Sequence, residues 1–479
     1  LNATTLPGEW LLLRKQQMPN AVALQRQHGL SFVQLWSESN RLAWLLSDNG
    51  VRPQDRCAVQ TEDSWALARL VYASLLLGIT LIPLDPGMDR PRRNKLLTQT
   101  GCRTLITDDF FTETGYHTLS LCGLFAALPG VKDRVQHKPL QADGLQLIMA
   151  TSGTTGDPKG VMLSAANLAA SVRASEQRLG LTAADCWLAC LPLFHIGGLS
   201  ILLRCLAVGA RVLLQQNFDA KAVWGAITTG AVTHISLVPA MLDRLIQQAD
   251  DQPPHAALRI VLIGGGPLSG SLAERAHAAG WPLCVSYGMS ETASQFATDA
   301  SPDAGLLPGL VGLPLQGFEV AIATDGRIRV RGEAVMAGYA NPEGESGEGL
   351  EQGWFETGDL GDLDEQGRLT VTGRADDLLI SGGKNIHPVE VEERLMRCPG
   401  ISSVGVAGRE DPVWGMVLVA LYTGALTPEA FKGWATESLP THLRPREYIQ
   451  IERLPLNQMG KLSRVALKNR LLQADKGDG

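Results

Sequence analysis

The chain lacks paired cysteines. Its eight cysteines (Cys57, Cys102, Cys122, Cys186, Cys190, Cys205, Cys284 and Cys398) are scattered, mostly inside apolar runs, and none forms a Cys-x-x-Cys pair. That pattern favours core thiols in a reducing compartment over a disulfide frame or a thiolate metal site. The nine histidines are equally dispersed, and none falls in a metal-ligand spacing. Long hydrophobic runs are missing too. The longest uncharged apolar stretch, Leu70 to Leu84, is interrupted by Gly78, Thr80 and Pro83. It is shorter than the roughly 20 residues of a spanning helix, so no membrane span is expected and a buried helix followed by a strand fits better. No basic segment with a small-residue cleavage site opens the sequence, which makes the cytoplasm the expected location. Positive charge is not in excess: the net charge of −7 argues against nucleic acid or an anionic membrane as the main partner. There are no internal repeats and no low-complexity tract.

What is present is the composition of an ordinary globular protein, 45% apolar and 19% charged over 479 residues, too long for one compact core. Up to about residue 375, strand-like runs alternate with helical stretches. Examples are residues 56–60, a helix from Trp65 to Leu77, residues 80–84, 210–214, 232–238 and 259–263. This alternation predicts an α/β architecture with largely parallel sheets. After Gly309 the texture changes. Residues 327–331 and 368–372 alternate strictly, the second after the turn-like Asp364 to Gly367, and predict antiparallel hairpins. Residues 341–353 read as a polar, glycine-rich surface loop. A smaller unit begins near Gly373 to Asp377, with one amphipathic helix from Val389 to Arg397 and strands around Val404 and Val417 to Tyr422.

The most informative segment is Thr151-Ser-Gly-Thr-Thr-Gly-Asp-Pro-Lys-Gly160, straight after the apolar run Leu145 to Ala150. Glycines let a backbone wrap an anion, hydroxyls donate, and Lys159 adds a point charge, a combination that suits a polyphosphate. The spacing is not that of the common nucleotide-binding loop, because Asp157 and Pro158 stand between Gly156 and Lys159. An ordinary Ser/Thr/Gly turn between strand and helix is the alternative. Farther on, Arg259 to Pro267 is a buried strand ending in glycines. Gly264 and Gly266 half match a dinucleotide fingerprint, but Ser269 replaces the third glycine and the next strand supplies Cys284 instead of a ribose-binding acid. Glu291, beside phosphates, would be repelled unless a cation lay between them, so it reads as a metal ligand or, alternatively, as a helix-capping acid. Arg204, in the apolar stretch from Leu199 to Val208, is expensive to bury unpaired. It either snorkels to water or meets an anionic group of a substrate, and the residues alone leave both open.

The loop at 151–160 is followed, in order, by Gly264-Gly-Gly-Pro267, Tyr287-Gly-Met-Ser-Glu-Thr292, Phe355-Glu-Thr-Gly-Asp359, Gly373-Arg-Ala-Asp-Asp377 and Leu454-Pro-Leu-Asn-Gln-Met-Gly-Lys461. With its spacing it resembles the phosphate loop of the adenylate-forming superfamily of acyl- and aryl-CoA synthetases, nonribosomal adenylation domains and luciferases, and the resemblance covers nearly the whole chain. It implies an α/β fold: a large multi-subdomain N-terminal domain, 1–375, with parallel-sheet layers and a distorted β-barrel, and a small mobile α+β C-terminal domain, 376–479. It also implies ATP, Mg²⁺ and coenzyme A. Thr151, Ser152, Gly153, Thr154, Thr155, Gly156 and Lys159 would hold phosphates, and Gly265, Gly266, Ser286, Tyr287, Gly288 and Ser290 the nucleotide. Asp359 and Arg374 would take the ribose, and Gly382 and Gly383 would lie along the pantetheine arm. Glu291 and Thr155 would hold the metal. Lys461, with Glu291 and His195 counted among the catalytic residues, would bridge the carboxylate and the α-phosphate, and Asp376 would be the hinge. Composition alone would leave Lys461 solvated; an ammonium between two anions is what the first half-reaction needs.

The combination of Phe194-His-Ile-Gly-Gly-Leu-Ser200, Arg204, Ser236-Leu-Val-Pro239 and Tyr287 to Gln295 is similar to the o-succinylbenzoate–CoA ligases of menaquinone biosynthesis. Their substrate is a small dicarboxylate. The resemblance implies that His195, Arg204, Ser236 and Gln295 line the acyl pocket, with Arg204 facing the carboxylate that is not activated. Gly197 departs from the pattern, since family members often carry serine there. Benzoate-type ligases share Ile380 to Pro388 and are the alternative, as is a free-standing adenylation enzyme serving a carrier protein. The oligomeric state stays open, a homo-oligomer included.

Overall fold

The computed structural model describes residues 5–108, 115–133, 139–152, 158–301, 303–341, 347–456 and 462–477. The uncharged stretch divides at Gly78. Helix Ser64–Leu77 is capped by Asp63, whose carboxylate accepts from the Trp65 and Ala66 N–H groups, and is followed by strand Thr80–Leu84. Every residue from Leu70 to Leu84 is buried, as side chains without charge permit. The strand lies inside a seven-stranded sheet ordered Gly338–Tyr339, Pro158–Ser164, Leu145–Ser152, Thr80–Leu84, Arg56–Gln60, Thr104–Thr107 and His117–Ser120. The last five run parallel, and the first two are antiparallel additions. A proline inside an interior strand would normally cost a ladder hydrogen bond. Here pairing to Leu145–Ser152 is confined to Leu81 opposite Leu147, so that ladder has ended before Pro83.

A thirteen-stranded sheet forms most of the remainder of the large unit. Val22–Gln25, Arg211–Leu214, Cys186–Ala189, His234–Leu237, Ile260–Ile263 and Leu283–Met289 are parallel neighbours in that order. From Leu283–Met289 onward the sheet turns antiparallel through Ser294–Asp299, Leu310–Pro314, Leu369–Arg374, Phe355–Leu363, Arg327–Gly332 and Phe318–Ile322. The expected hairpin turn is formed at Asp364 to Gly367, where the Gly367 N–H donates to the Asp364 carbonyl at 2.9 Å. This antiparallel run occupies the part of the fold where a distorted barrel was expected; its pairings trace an open path among the described residues.

A five-stranded sheet follows, made of Leu379–Ser381, Lys384–Ile386, Ile401–Asp411, Gly415–Gly424 and Glu447–Gln450. One face packs helices Pro388–Leu395 and Pro428–Ser438 through Val391, Leu395, Phe431 and Tyr422, and the other packs Leu467 and Leu471. The large core ends with Leu369 and the terminal core begins with Leu379. Seven of the cysteines are buried and Cys122 is exposed. Among the described residues no helix is long and apolar enough to cross a membrane.

Candidate active site

The site lies where the large sheet changes from parallel to antiparallel. Strand Ile260–Ile263 ends in Gly264 to Gly266, with Gly265 at φ +78°, a conformation that favours glycine. The neighbouring strand presents Ser286, whose hydroxyl donates to the Ile263 carbonyl at 2.9 Å and so ties the glycine turn to the sheet. Next to it, the Tyr287 hydroxyl donates to Asp359 Oδ2 at 2.6 Å. Burial, with Asp359 as acceptor, pushes the Tyr287 phenol well above its ordinary range, so it stays a donor. Arg374 approaches the other carboxylate oxygen at 3.4 Å and Asp376 at 3.4 Å. Tyr287, Asp359 and Arg374 therefore converge as a flat ring, an acceptor and a cation, a set able to hold a nucleoside.

The proposed phosphate loop is flanked by two antiparallel strands, with Thr151 opposite Lys159, and not by a strand and a helix. Gly153, Thr154, Thr155 and Gly156 lie outside the described residues, as does Lys461; Ser152 ends the first strand. Lys159 Nζ stands 4.9 Å from the centre of the Tyr339 ring. The Tyr339 hydroxyl donates to Glu291 Oε1 at 2.9 Å. Glu291 sits with Ser290 in a short turn after Leu283–Met289, and burial raises its carboxyl pKa, opposed by the Tyr339 hydrogen bond and the charges of Lys159 and Arg374. A desolvated carboxylate held by one phenol and near a lysine is suited to a cation carrying phosphates more than to a cap. Among the described residues no cluster of three His, Cys, Asp or Glu side chains could hold a metal alone, so one here would draw its other ligands from phosphate or water.

The acyl side is built on helix Ile196–Val208, entered through His195, whose ring packs on Phe194 at 4.7 Å. Arg204 points inward and is 2% exposed, which decides against snorkelling. Its Nη2 donates to Ser294 Oγ at 3.0 Å, and its Nε has no partner among the described residues. Burial pushes its pKa down to about 10, still charged at neutral pH. Gln295, the residue after Ser294, is 3% exposed with neither amide atom partnered among the described residues. Buried polar atoms are rarely left so. Backbone strain aims both neighbours: Ala293 and Ser294 adopt φ +50° and +109°, which costs about 1–3 kcal/mol each. The Ser171 hydroxyl, donating to the Ala293 carbonyl at 2.8 Å, holds the bend. Gly288 permits it, because a Cβ there would overlap the Ser294 carbonyl. Ser236 is buried and accepts from the Trp187 indole at 3.1 Å. At Gly197 a Cβ would meet nothing nearer than Leu191 at 3.7 Å, so the missing serine leaves open space instead of filled core.

The structure thus brings together Gly265, Gly266, Ser286, Tyr287, Gly288, Ser290, Glu291, Asp359 and Arg374 on one side, and Arg204 with Ser294 on the other. It sets apart Gly382 and Gly383, which form the terminal unit's hairpin turn at φ +55° and +74°, the Gly382 N–H donating to the Trp414 carbonyl. Sequence reasoning missed Tyr339, Ser294 and Trp187. None lies in a glycine-rich motif, and each acts through a contact distant in sequence.

Comparison with known proteins identifies the family. The AMP-binding enzyme family model matches residues 13–340, and the AMP-binding enzyme C-terminal domain model matches 390–461. A 2-succinylbenzoate–CoA ligase of Bacillus subtilis is 35% identical over 98% of each chain. The solved o-succinylbenzoate CoA synthetase of Bacillus subtilis in complex with the acyl-adenylate intermediate OSB-AMP superposes with a TM-score of 0.87 at 34% identity, covering 96% of this chain and 98% of that one. Its complex with ATP and magnesium ion gives 0.87 at 34% identity, covering 96% and 99%. The chain belongs to the AMP-binding enzyme family, in the branch of the 2-succinylbenzoate–CoA ligases.

Proposed function

We propose that this protein adenylates o-succinylbenzoate with ATP and transfers the acyl group to coenzyme A, giving o-succinylbenzoyl-CoA, AMP and pyrophosphate. The observation that carries the substrate is Arg204: a charged, buried guanidinium whose Nε has no partner among the described residues. A monocarboxylic acid would leave that cation uncompensated, whereas the second carboxylate of o-succinylbenzoate pairs with it.

A carboxylate acylates poorly because its leaving group would be oxide. In the first half-reaction its oxygen attacks the α-phosphorus and the bond to pyrophosphate breaks. Two anions must meet, and the Lys461 ammonium is assigned to bridge them. Asp359, already bonded to Tyr287, offers its remaining oxygen to the ribose hydroxyls with Arg374 beside it. Glu291, held by Tyr339, is assigned to Mg²⁺, which neutralises phosphate charge when bound. In the second half-reaction the coenzyme A sulfur attacks the carbonyl carbon, the C–O bond to AMP breaks, and AMP leaves as the weaker base. Since Lys461 serves only the first step, the terminal unit is proposed to turn about Asp376, which is exposed between the last strand of the large sheet and Leu379. We place the reaction in the cytoplasm, where the buried thiols stay reduced.

ATP–pyrophosphate exchange across a panel of acids tests the substrate. Strong exchange with o-succinylbenzoate is expected; exchange with benzoate or medium-chain fatty acids and none with o-succinylbenzoate would reject it. Product formation with free coenzyme A distinguishes the ligase from an enzyme serving a carrier protein.

A further inference from the structure

Trp187, in strand Cys186–Ala189, is fully buried and touches two members of the acyl pocket at once. Its Nε1–H donates to Ser236 Oγ at 3.1 Å, and the Arg204 guanidinium carbon lies 5.6 Å from its ring centre. The ring is itself set by His234, its register partner on the adjacent strand, at 5.2 Å between centroids. The chemistry of the contact is one-directional. An indole nitrogen can only donate, and a serine hydroxyl has one proton and two lone pairs. Once the indole occupies a lone pair, the Ser236 proton is turned elsewhere. The guanidinium is likewise donor-only, and the indole face partly replaces its lost hydration.

We propose that Trp187 is a positioning residue that fixes Ser236 as a donor and so makes the distal end of the acyl pocket selective for a second carboxylate. This rests on the o-succinylbenzoate reading and adds the group that enforces it. Without the indole N–H the Ser236 proton is free to turn to a backbone carbonyl, and the pocket loses one charge-assisted hydrogen bond to the substrate anion.

The test replaces Trp187 with 3-benzothienylalanine by amber suppression, exchanging N–H for sulfur in an almost unchanged ring, with Trp187→Phe as a second variant. Steady-state kinetics are compared for o-succinylbenzoate and 4-oxo-4-phenylbutanoate, the same acid without its ring carboxylate. The KM for the dicarboxylate should rise roughly 10- to 150-fold, the loss expected for one hydrogen bond to a charged group, while KM for ATP and for the monoacid stay unchanged. In a Ser236→Ala background the replacement should have no further effect, an outcome that mere loss of packing would not give. An unchanged KM for the dicarboxylate, an equal rise for both acids, or an undiminished effect in the Ser236→Ala background would overturn the proposal. A wild type inert toward o-succinylbenzoate but active toward another acid would reject the function reading alone. The same replacement is then read with that acid: if it carries a second carboxylate an unchanged KM overturns the role of Trp187, and if it carries none the proposed selectivity falls with the function reading.

Discussion

Replacing Arg204 with methionine should move stability and activity in opposite directions. The guanidinium is 2% exposed, donates through Nη2 to Ser294, and its Nε has no partner among the described residues. Burial has already lowered its pKa, a direct sign that the charged form pays for desolvation. Methionine is unbranched and of similar length, and exchanging buried charge for well-packed apolar volume is often neutral or stabilising by about 1–4 kcal/mol. The ligand-free variant should therefore unfold at an equal or higher denaturant concentration than the wild type. With o-succinylbenzoate bound, the same exchange strands the distal carboxylate in an apolar pocket. Losing one partner of a buried, hydrogen-bonded charge pair costs about 2–5 kcal/mol, so kcat/KM for the dicarboxylate should fall roughly 30- to 4,000-fold. The loss should fall on its KM, because Arg204 is assigned to the carboxylate that does not react, and KM for ATP should stay unchanged. Urea denaturation and adenylation kinetics on the same preparation check both signs. A variant that is less stable and equally impaired toward ATP would show Arg204 to be a scaffold residue, and the reasoning would fail.

Lys461→Ala should slow adenylation by at least about 100-fold, the scale of losing one preorganised charge contact, while sparing thioester formation from synthetic acyl-adenylate; equal losses in both half-reactions would contradict the two-conformation account. Tyr339→Phe keeps a ring beside Lys159 but removes the hydroxyl that opposes the burial-raised pKa of Glu291. Because the ionised carboxylate is the form assigned to the metal, the acid limb of the pH–rate profile should move up by several tenths to about one pH unit, and an unmoved limb would remove Glu291 from that role. Burial holds His234 at a pKa of about 4 against an ordinary 6.5, with Asp185 opposing and Arg259 assisting. The unfolded chain takes up that proton first as pH falls through 6.5, so stability should be lost between pH 6.5 and 4, about 3 kcal/mol from this site. Urea midpoints across that range should fall less steeply in His234→Gln; parallel slopes would contradict it.

Local chemistry carried the fold reading far. The helix expected from Trp65 is Ser64–Leu77, strands 56–60 and 80–84 are as expected, and Arg327–Gly332 enters the predicted hairpin sheet. These elements show their periodicity within a short window, which is where sequence patterns are strongest. Contacts between distant segments were not legible. The proposed phosphate loop proved to lie between two strands, since the partner of Leu145–Ser152 begins with Pro158, a residue that reads as a strand breaker. Among the proposed site residues, Glu291 and Arg204 could be singled out because a carboxylate beside phosphates and a cation in an apolar stretch are chemically conspicuous, whereas Asp359 was named mainly through the family resemblance. Tyr339, Ser294 and Trp187 could not be singled out, since an ordinary tyrosine, serine or tryptophan acquires a role only from what folding places against it. Ser294 adds a backbone reason: no pattern rule predicts φ +109° for a serine, and that strained bend is what turns its hydroxyl to Arg204.

The central claim is that the acid becomes activated by bonding its own oxygen to the α-phosphorus. o-Succinylbenzoate labelled with ¹⁸O in the succinyl carboxylate, turned over with ATP and coenzyme A, should yield AMP carrying one labelled phosphate oxygen and pyrophosphate carrying none. Unlabelled AMP, or label recovered in pyrophosphate, would contradict it.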